Sequence, residues 1–524
     1  MRLNQTIKAC VVAVLLMQPP GTIAAGLEPA SIPVTPVVPA APAVPAVSEP
    51  VPVTKHSWPW IGASHTTRPI DLSRLGYVEE EYVIKGRARV LDWPSIDHLD
   101  RMAEGPYATR ILVRRPADPK RFSGTVWVEP LNPSMRYDLP LVWGDTYQHL
   151  VSRGDIWVGV TVKPVAIQSL QEFAPQRYAG LAMPNPLPPE ATCPQSVLPL
   201  PRGGLPPESK PETENGLIWD ILSQTAALVR DSSPGHPLHH FPAQRVFMTG
   251  DSQSGAFVLT YANAIHPFAR SARGGPLYDG YLATVASGPS TLIRQCAQPI
   301  PPSDPRRVIQ PRGVPIMTIV SETETVALHR RPDSDRMPDL FRGYEVAGAS
   351  HVHASAGQDG PAAADAAKTE GARFDTNTAC QQSSAPENDV PIGMIVDGAM
   401  ANLERWSRDG TPAPRGEPIR VREPAGRAPE VERDSFGNAL GGVRTPALDV
   451  PIARYYPRMS GPGVCELWGY REPLAAAQLK SLYPTHEEYI SKVRKSVADL
   501  VGTRWLTAGD GERIIAAASA ARVP

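Results

Sequence analysis

From residue 125 onward, short β-branched runs alternate with amphipathic segments and turn clusters. That rhythm points to a mostly parallel sheet flanked by helices. Candidate strands cover 125–129, 156–162, 245–248, 281–286, 315–320 and 342–346, and several are near-continuous apolar runs, as strands covered on both faces should be. Between them, Leu217, Ile218, Ile221, Leu222, Thr225, Leu228 and Val229 recur at three- and four-residue spacing and predict a helix that docks on the sheet. Residues 257–265 predict a second. Two stretches, near 163–215 and 355–440, break the rhythm, and the first is dense in proline. Insertions of this kind at a sheet's carboxyl edge commonly form the walls or lid of a pocket.

The chain of 524 residues, 42% apolar and 20% charged, has enough apolar material for a large core. Its 52 basic and 53 acidic side chains give a net charge of −1, so bulk electrostatics offers no reason to expect a nucleic-acid or anionic-membrane partner.

The amino terminus carries Arg2 and Lys8, an apolar run Ala9–Met17 too short to span a bilayer, and small residues at Ala24-Ala25. This predicts a signal peptide over residues 1–25 and a secreted or periplasmic protein. Residues 26–53 carry a proline every few positions from Pro29 to Pro52 and predict an extended, semi-rigid linker, with the folded domain over 54–524. No other apolar run reaches eighteen residues, so no membrane insertion is expected once the signal is removed. Removal of Cys10 with the signal leaves Cys193, Cys296, Cys380 and Cys465. They allow up to two disulfides in three pairings, among which the sequence does not choose.

The hexapeptide Gly250-Asp251-Ser252-Gln253-Ser254-Gly255 lies directly after an apolar strand and directly before a helical run. There an α/β-hydrolase fold makes its sharp strand-to-helix turn, which presents a serine Oγ at the carboxyl edge of the sheet. The positions two before and two after the serine must be small, and Gly250 and Ser254 occupy them. The second departs from the usual glycine. Ser252 is the candidate nucleophile, and the N–H of Gln253, at the amino end of the helix, is a candidate oxyanion donor. An ordinary serine cap on a helix is the competing reading. Gly-Asp-Ser also opens a different esterase block, but that block needs an Asp-x-x-His pair near the carboxyl terminus, and none follows here.

A serine nucleophile needs an imidazole to take its proton and a carboxylate to fix the imidazole's tautomer. The strand ending at Val346 runs into Ala347-Gly348-Ala349-Ser350-His351, which makes His351 the candidate base, with His353 competing. The strand ending at Val320 runs into Ser321-Glu322-Thr323-Glu324, and either glutamate qualifies as the acid; Glu322 is favoured as nearer the rigid strand end. His236, His239 and His240 form a cluster that fits a solvated loop better than a metal site. Trp143, Trp157 and Phe173 are candidates for lining a neutral pocket, with core packing as the plainer expectation.

These pieces resemble the bacterial alpha/beta hydrolase domain-containing proteins with a Gly-x-Ser-Gln-Ser-Gly elbow. The resemblance rests on Val128-Glu129-Pro130-Leu131-Asn132, Arg177-Tyr178-Ala179-Gly180-Leu181, Trp219-Asp220-Ile221-Leu222-Ser223-Gln224, Gly250–Gly255, Ser321-Glu322-Thr323, Tyr344–His351 and Gly441-Gly442-Val443-Arg444-Thr445-Pro446. It spans roughly residues 70 to 510 and implies a serine hydrolase with Ser252 as nucleophile and His351 as base. The group's acid loop reads Ser-Glu-Thr-Asp, and Glu324 stands here in the Asp place, so the choice of acid stays open. In this fold the loop after the 125–129 strand supplies the second oxyanion N–H, and because Pro133 has none, Asn132 or a neighbour is the candidate.

The expected activity is therefore that of an exported serine hydrolase, a carboxylesterase on a small ester-type substrate, with no metal or organic cofactor required by the chemistry. Alternatives are an amidase, peptidase or acyltransferase using the same residues, or a binding protein on a hydrolase fold.

Overall fold

The six β-branched runs pair side by side in a computed structural model, which describes residues 34–193, 209–233, 236–328, 330–354, 360–370, 380–462 and 464–524. The expected signal peptide lies outside the described residues. The sheet has eleven strands: β1 (Thr35–Pro36), β2 (Ala46–Val47), β3 (Tyr77–Ser95), β4 (His98–Pro116), β5 (Thr125–Pro130), β6 (Ile156–Val160), β7 (Arg245–Asp251), β8 (Gly280–Thr284), β9 (Ile316–Ser321), β10 (Ser334–Arg336) and β11 (Asp339–Val346). The six expected strands are β5 to β9 and β11; they lie in the order β6-β5-β7-β8-β9-β11 and are all parallel. Their side chains are buried almost throughout, because helices cover the sheet.

Six helices matter for the site: α1 (Leu141–Arg153), α2 (Pro164–Phe173), α3 (Pro175–Tyr178), α4 (Ile218–Arg230), α5 (Gln253–Thr260) and α6 (Glu322–Thr325). The predicted helix with Leu217–Val229 periodicity is α4, and 257–265 is the end of α5 with a π-helical turn Tyr261–Ile265. The first insertion is not irregular throughout, since Pro164 and Pro175 each open a helix, where a missing N–H costs nothing. The second holds a long helix, Ile392–Asp409, whose Ile392, Ile395, Val396, Ala399, Met400, Leu403 and Trp406 are buried. That helix packs on α1, β8 and β9, so it is part of the core rather than of a lid.

The long antiparallel hairpin of β3 and β4 extends the sheet beyond β6. Its strands carry many charges, and these are used internally: Arg110 pairs with Glu81 at 2.8 Å and Asp138 at 2.9 Å, and Arg114 with Glu79 at 2.8 Å. Arg177 and the Tyr178 hydroxyl both donate to Glu81 as well, which ties the Arg-Tyr of the first insertion to the hairpin.

The described part of the Pro-rich stretch is extended, but it is not a free spacer. Thr35 and Pro36 pair with Arg101 and Asp100 of β4, and Ala46 and Val47 with Lys85 and Ile84 of β3. Proline is tolerated there because an edge strand needs few of its own N–H groups.

Two disulfides are present, Cys193–Cys296 and Cys380–Cys465. The first ties the Pro-rich insertion to the segment after β8 across a sequence separation of 103. Closing a loop of that size restricts the unfolded chain by about 4–5 kcal/mol on the chain-entropy account. Cys193→Ser/Cys296→Ser is therefore expected to lower the thermal unfolding midpoint while leaving the native far-UV CD spectrum intact; an unchanged midpoint would show that other contacts anchor the insertion.

Candidate active site

At the carboxyl end of β7 the chain turns at Ser252, whose φ of +53° and ψ of −116° lie outside the favoured regions for a residue with a Cβ. Its neighbours enforce this conformation. A Cβ at Gly250 would lie 2.6 Å from the Ser254 carbonyl oxygen, and one at Gly255 would lie 2.8 Å from the Ala286 Cβ, so strand and helix approach as closely as only glycine permits. Ser254, standing where the usual pattern has glycine, fits because its hydroxyl bonds inward: Oγ accepts from the Asp251 N–H and donates to the Asp251 carbonyl, both at 3.0 Å. The Ser252 N–H donates to the Thr284 carbonyl at 2.9 Å, and the Thr284 hydroxyl donates to Asp251 Oδ2 at 2.6 Å.

His351 follows β11 through a short turn that contains Gly348 at φ +73°. The imidazole Nε2 lies 2.8 Å from Ser252 Oγ, and Nδ1 lies 2.7 Å from Glu324 Oε1. Nδ1 bonded to a carboxylate carries the proton, which leaves the Nε2 lone pair facing the serine hydroxyl. The other oxygen of Glu324 accepts from the Ser321 N–H and hydroxyl, both at 2.8 Å, in a capping box that fixes the carboxylate. Burial works against a charged His351, but the charge and hydrogen bond of Glu324, together with the charge of Asp251, outweigh it and hold the imidazole pKa above its ordinary value.

Glu322, favoured on distance from the strand end, does not meet His351. Its carboxylate accepts from Arg433 at 2.7 Å and from the Gly348 N–H at 2.9 Å. The loop is a helical turn, and residues two apart on a helix point about 200° apart, so the two glutamates face opposite ways. His353 also turns away, with Nε2 3.3 Å from Asp145 Oδ2 on α1.

Gln253 is the first residue of α5, which puts its N–H at the helix amino end beside Ser252. Asn132 does not offer the expected oxyanion N–H, because that group donates to the Leu139 carbonyl at 2.9 Å. Its side-chain amide instead donates to the Asp251 carbonyl at 2.8 Å, bracing the turn from the β5 side. Trp143 and Trp157 are fully buried with Arg114 stacked over both, so they are core rather than pocket wall, and Phe173 packs against Trp60. His236 is buried, not solvated, and its Nδ1 accepts from the Leu238 N–H at 3.0 Å.

Two further residues support these elements. Thr284 braces Ser252 through its main-chain carbonyl, which any residue would supply. Glu129 accepts from the N–H groups of Val142 and Trp143 at the amino end of α1 and from Trp157 Nε1, and burial pushes its carboxyl up to about 8.

A family model described as an alpha/beta hydrolase domain matches residues 47–516. The chain belongs to that family. No curated protein matches the sequence. Solved structures similar to this hydrolase-family chain include a glucuronoyl esterase from Solibacter usitatus, 11% identical, with 56% of this chain and 71% of that one covered at a TM-score of 0.26. Others are the poly(3-hydroxybutyrate) depolymerase LpqC from Bordetella parapertussis (12%, 51% and 74%, 0.25) and XC6422 from Xanthomonas campestris, an a/b serine hydrolase without lid (12%, 51% and 85%, 0.23).

Proposed function

We propose that this is an exported carboxylic ester hydrolase that works through an acyl-enzyme on Ser252, with His351 as base and Glu324 as its orienting acid. The observation that carries the reading is the continuous relay of two short hydrogen bonds, Ser252 Oγ to His351 Nε2 at 2.8 Å and His351 Nδ1 to Glu324 Oε1 at 2.7 Å. Membership of a hydrolase family supports it, and two disulfides fit an extracellular or periplasmic protein.

In this mechanism Oγ attacks the ester carbonyl carbon while His351 Nε2 takes its proton. Glu324 stabilises the imidazolium without accepting the Nδ1 proton. The tetrahedral oxyanion forms beside the amino end of α5, where the Gln253 N–H donates to it. His351 returns its proton to the leaving alcohol as the C–O bond breaks; it then activates a water that attacks the acyl carbon, and Ser252 leaves as the free hydroxyl.

The test is a fluorophosphonate label followed by peptide mapping, together with hydrolysis of p-nitrophenyl esters of graded chain length. A single adduct on Ser252 and burst kinetics are expected. Folded protein that neither labels nor turns over any ester would replace the esterase with a non-catalytic binding protein.

A further inference from the structure

The parallel pairing of β9 with β11 ends at Ser321 and Val346. Glu324 lies three residues beyond that ladder and His351 five beyond it, after Gly348 has turned the chain off the strand direction at φ +73°. The sheet therefore sets where the acid and base loops start, and not where the carboxylate and the imidazole finish. Past the ladder, hydrogen bonds follow one another between the two loops. The Glu322 N–H donates to the Ala349 carbonyl at 3.1 Å, and the Gly348 N–H donates to the Glu322 carboxylate at 2.9 Å. The His351 N–H then donates to Thr323 Oγ1 at 3.1 Å, which is the bond that holds the main chain of the histidine itself.

Thr323 is 5% exposed and stands between the two glutamates on the turn of α6. Consecutive side chains on a helical turn point about 100° apart, so Thr323 faces the way of neither glutamate. Its hydroxyl, besides accepting from His351, donates to the Pro457 carbonyl at 2.9 Å, and its own carbonyl accepts from the Arg458 guanidinium. Pro457 and Arg458 open the loop between the strands Ala453–Tyr456 and Tyr470–Pro473 of a small antiparallel hairpin. The far end of the same loop reaches the base loop directly, because the Leu467 carbonyl accepts from the Val352 N–H at 2.8 Å. Within the loop the Met459 N–H donates to the Trp468 carbonyl at 2.7 Å, and Cys465 is joined to Cys380. One cross-linked loop thus holds the acid loop at one end and the residue after His351 at the other. The Thr323 hydroxyl is where all three meet.

We infer that Thr323 is a positioning residue for the relay, tying the main chain of His351 to the hairpin loop so that Nε2 stays in reach of Ser252; the inference rests on the esterase reading above. A hydroxyl accepts one of these bonds while it donates the other, and no apolar side chain of the same shape does either. Valine matches threonine closely in shape, so Thr323→Val deletes two bonds and little else. It leaves the His351 N–H and the Pro457 carbonyl without the partner they share, a penalty that the base loop relieves by moving. Displacement of a catalytic group by about 1 Å costs about a hundredfold in rate. Thr323→Ser keeps the hydroxyl and with it both bonds.

Thr323→Val is expected to lower kcat for a p-nitrophenyl ester by about 30- to 100-fold with KM within about twofold, and to slow fluorophosphonate labelling of Ser252 in proportion. Thr323→Ser should recover to within about threefold of the parent. Thr225→Val removes a buried hydroxyl bonded to the Ile221 carbonyl inside α4, and is the control for stability alone. It should hold kcat within about twofold whatever it does to the unfolding temperature. The proton resonance of His351 Nδ1–H, far downfield because it bonds a carboxylate and identified by its loss in Glu324→Gln, should shift or broaden in Thr323→Val and return in Thr323→Ser. Should Thr323→Val not fold, Arg458→Met decides, since it removes the exposed guanidinium that holds the same turn. Its kcat is expected to fall by about threefold to tenfold at unchanged KM. Folded Thr323→Val within about threefold of the parent overturns the inference. So does Thr323→Ser as slow as Thr323→Val, an equal loss in Thr225→Val, or, where Arg458→Met decides, an unchanged kcat. Each of these leaves the esterase reading standing. Parent protein that neither labels nor hydrolyses any ester sinks that reading, and an unmoved downfield resonance in Thr323→Val then sinks the positioning role separately.

Discussion

Ser252→Ala is expected to lower kcat for a p-nitrophenyl ester by about 10⁶-fold, and Ser252→Ala/His351→Ala to fall no further, because residues that act as one relay lose their effect together. The backbone makes this a clean measurement. Ser252 sits at φ +53°, a conformation that costs about 1–3 kcal/mol and is forced by the packing of Gly250, Ser254 and Gly255. Alanine carries the same Cβ and meets the same strain, so the variant should unfold at nearly the same temperature as the parent and the lost rate reports chemistry. A small residual rate above water should persist from the amino end of α5 and from substrate binding. A single variant within about a hundredfold of the parent would place the nucleophile elsewhere, and a double variant far below the single would separate His351 from the relay.

The six parallel strands, the turn at Ser252 and the position of His351 are legible in the sequence because each has a local cause. A strand covered on both faces must be apolar along its length, and a sharp strand-to-helix turn must be flanked by small residues. What escapes the sequence depends on pairing at a distance. The β3–β4 hairpin buries ion pairs such as Arg110–Glu81 and Arg114–Glu79 among apolar residues such as Ile84, Leu91, Ile111 and Val113, so charge interrupts the apolar pattern that marks a strand. The Pro-rich stretch is extended as its composition dictates, but nothing local in it announces the sheet edge on which residues 35–36 and 46–47 lie. Asn132 stands in the right loop, but the partner of its N–H is decided by the return of the chain to Leu139. The disulfide pairing is likewise set by which loops the fold brings together.

The acid illustrates the same limit, and it carries the second large prediction. Two glutamates two residues apart are chemically equal in the sequence; only the helical turn of α6 separates them, sending Glu324 to His351 and Glu322 to Arg433 and Gly348. Glu324→Gln is expected to lower kcat by about 10⁴-fold with the fold retained. The amide oxygen keeps the bonds from Ser321, which turns the NH₂ group toward Nδ1. The imidazole then carries its proton on Nε2 and has no lone pair for the Ser252 hydroxyl. The pH profile gives an independent readout. His351 must be neutral to accept a proton, so kcat/KM falls as pH drops through its pKa, which Glu324 holds above the ordinary value of about 6.5 against the effect of burial. Removing that carboxylate leaves burial opposed only by the weaker pull of Asp251, and the acid limb of the remaining activity should move to lower pH. Glu322→Gln retains an acceptor for the Gly348 N–H but strips Arg433 of its buried counter-charge; it should lower the unfolding temperature, hold kcat within about tenfold and leave the acid limb in place. The reverse pattern, with the large loss and the shifted limb at Glu322, would mean that the relay runs through the other glutamate during turnover.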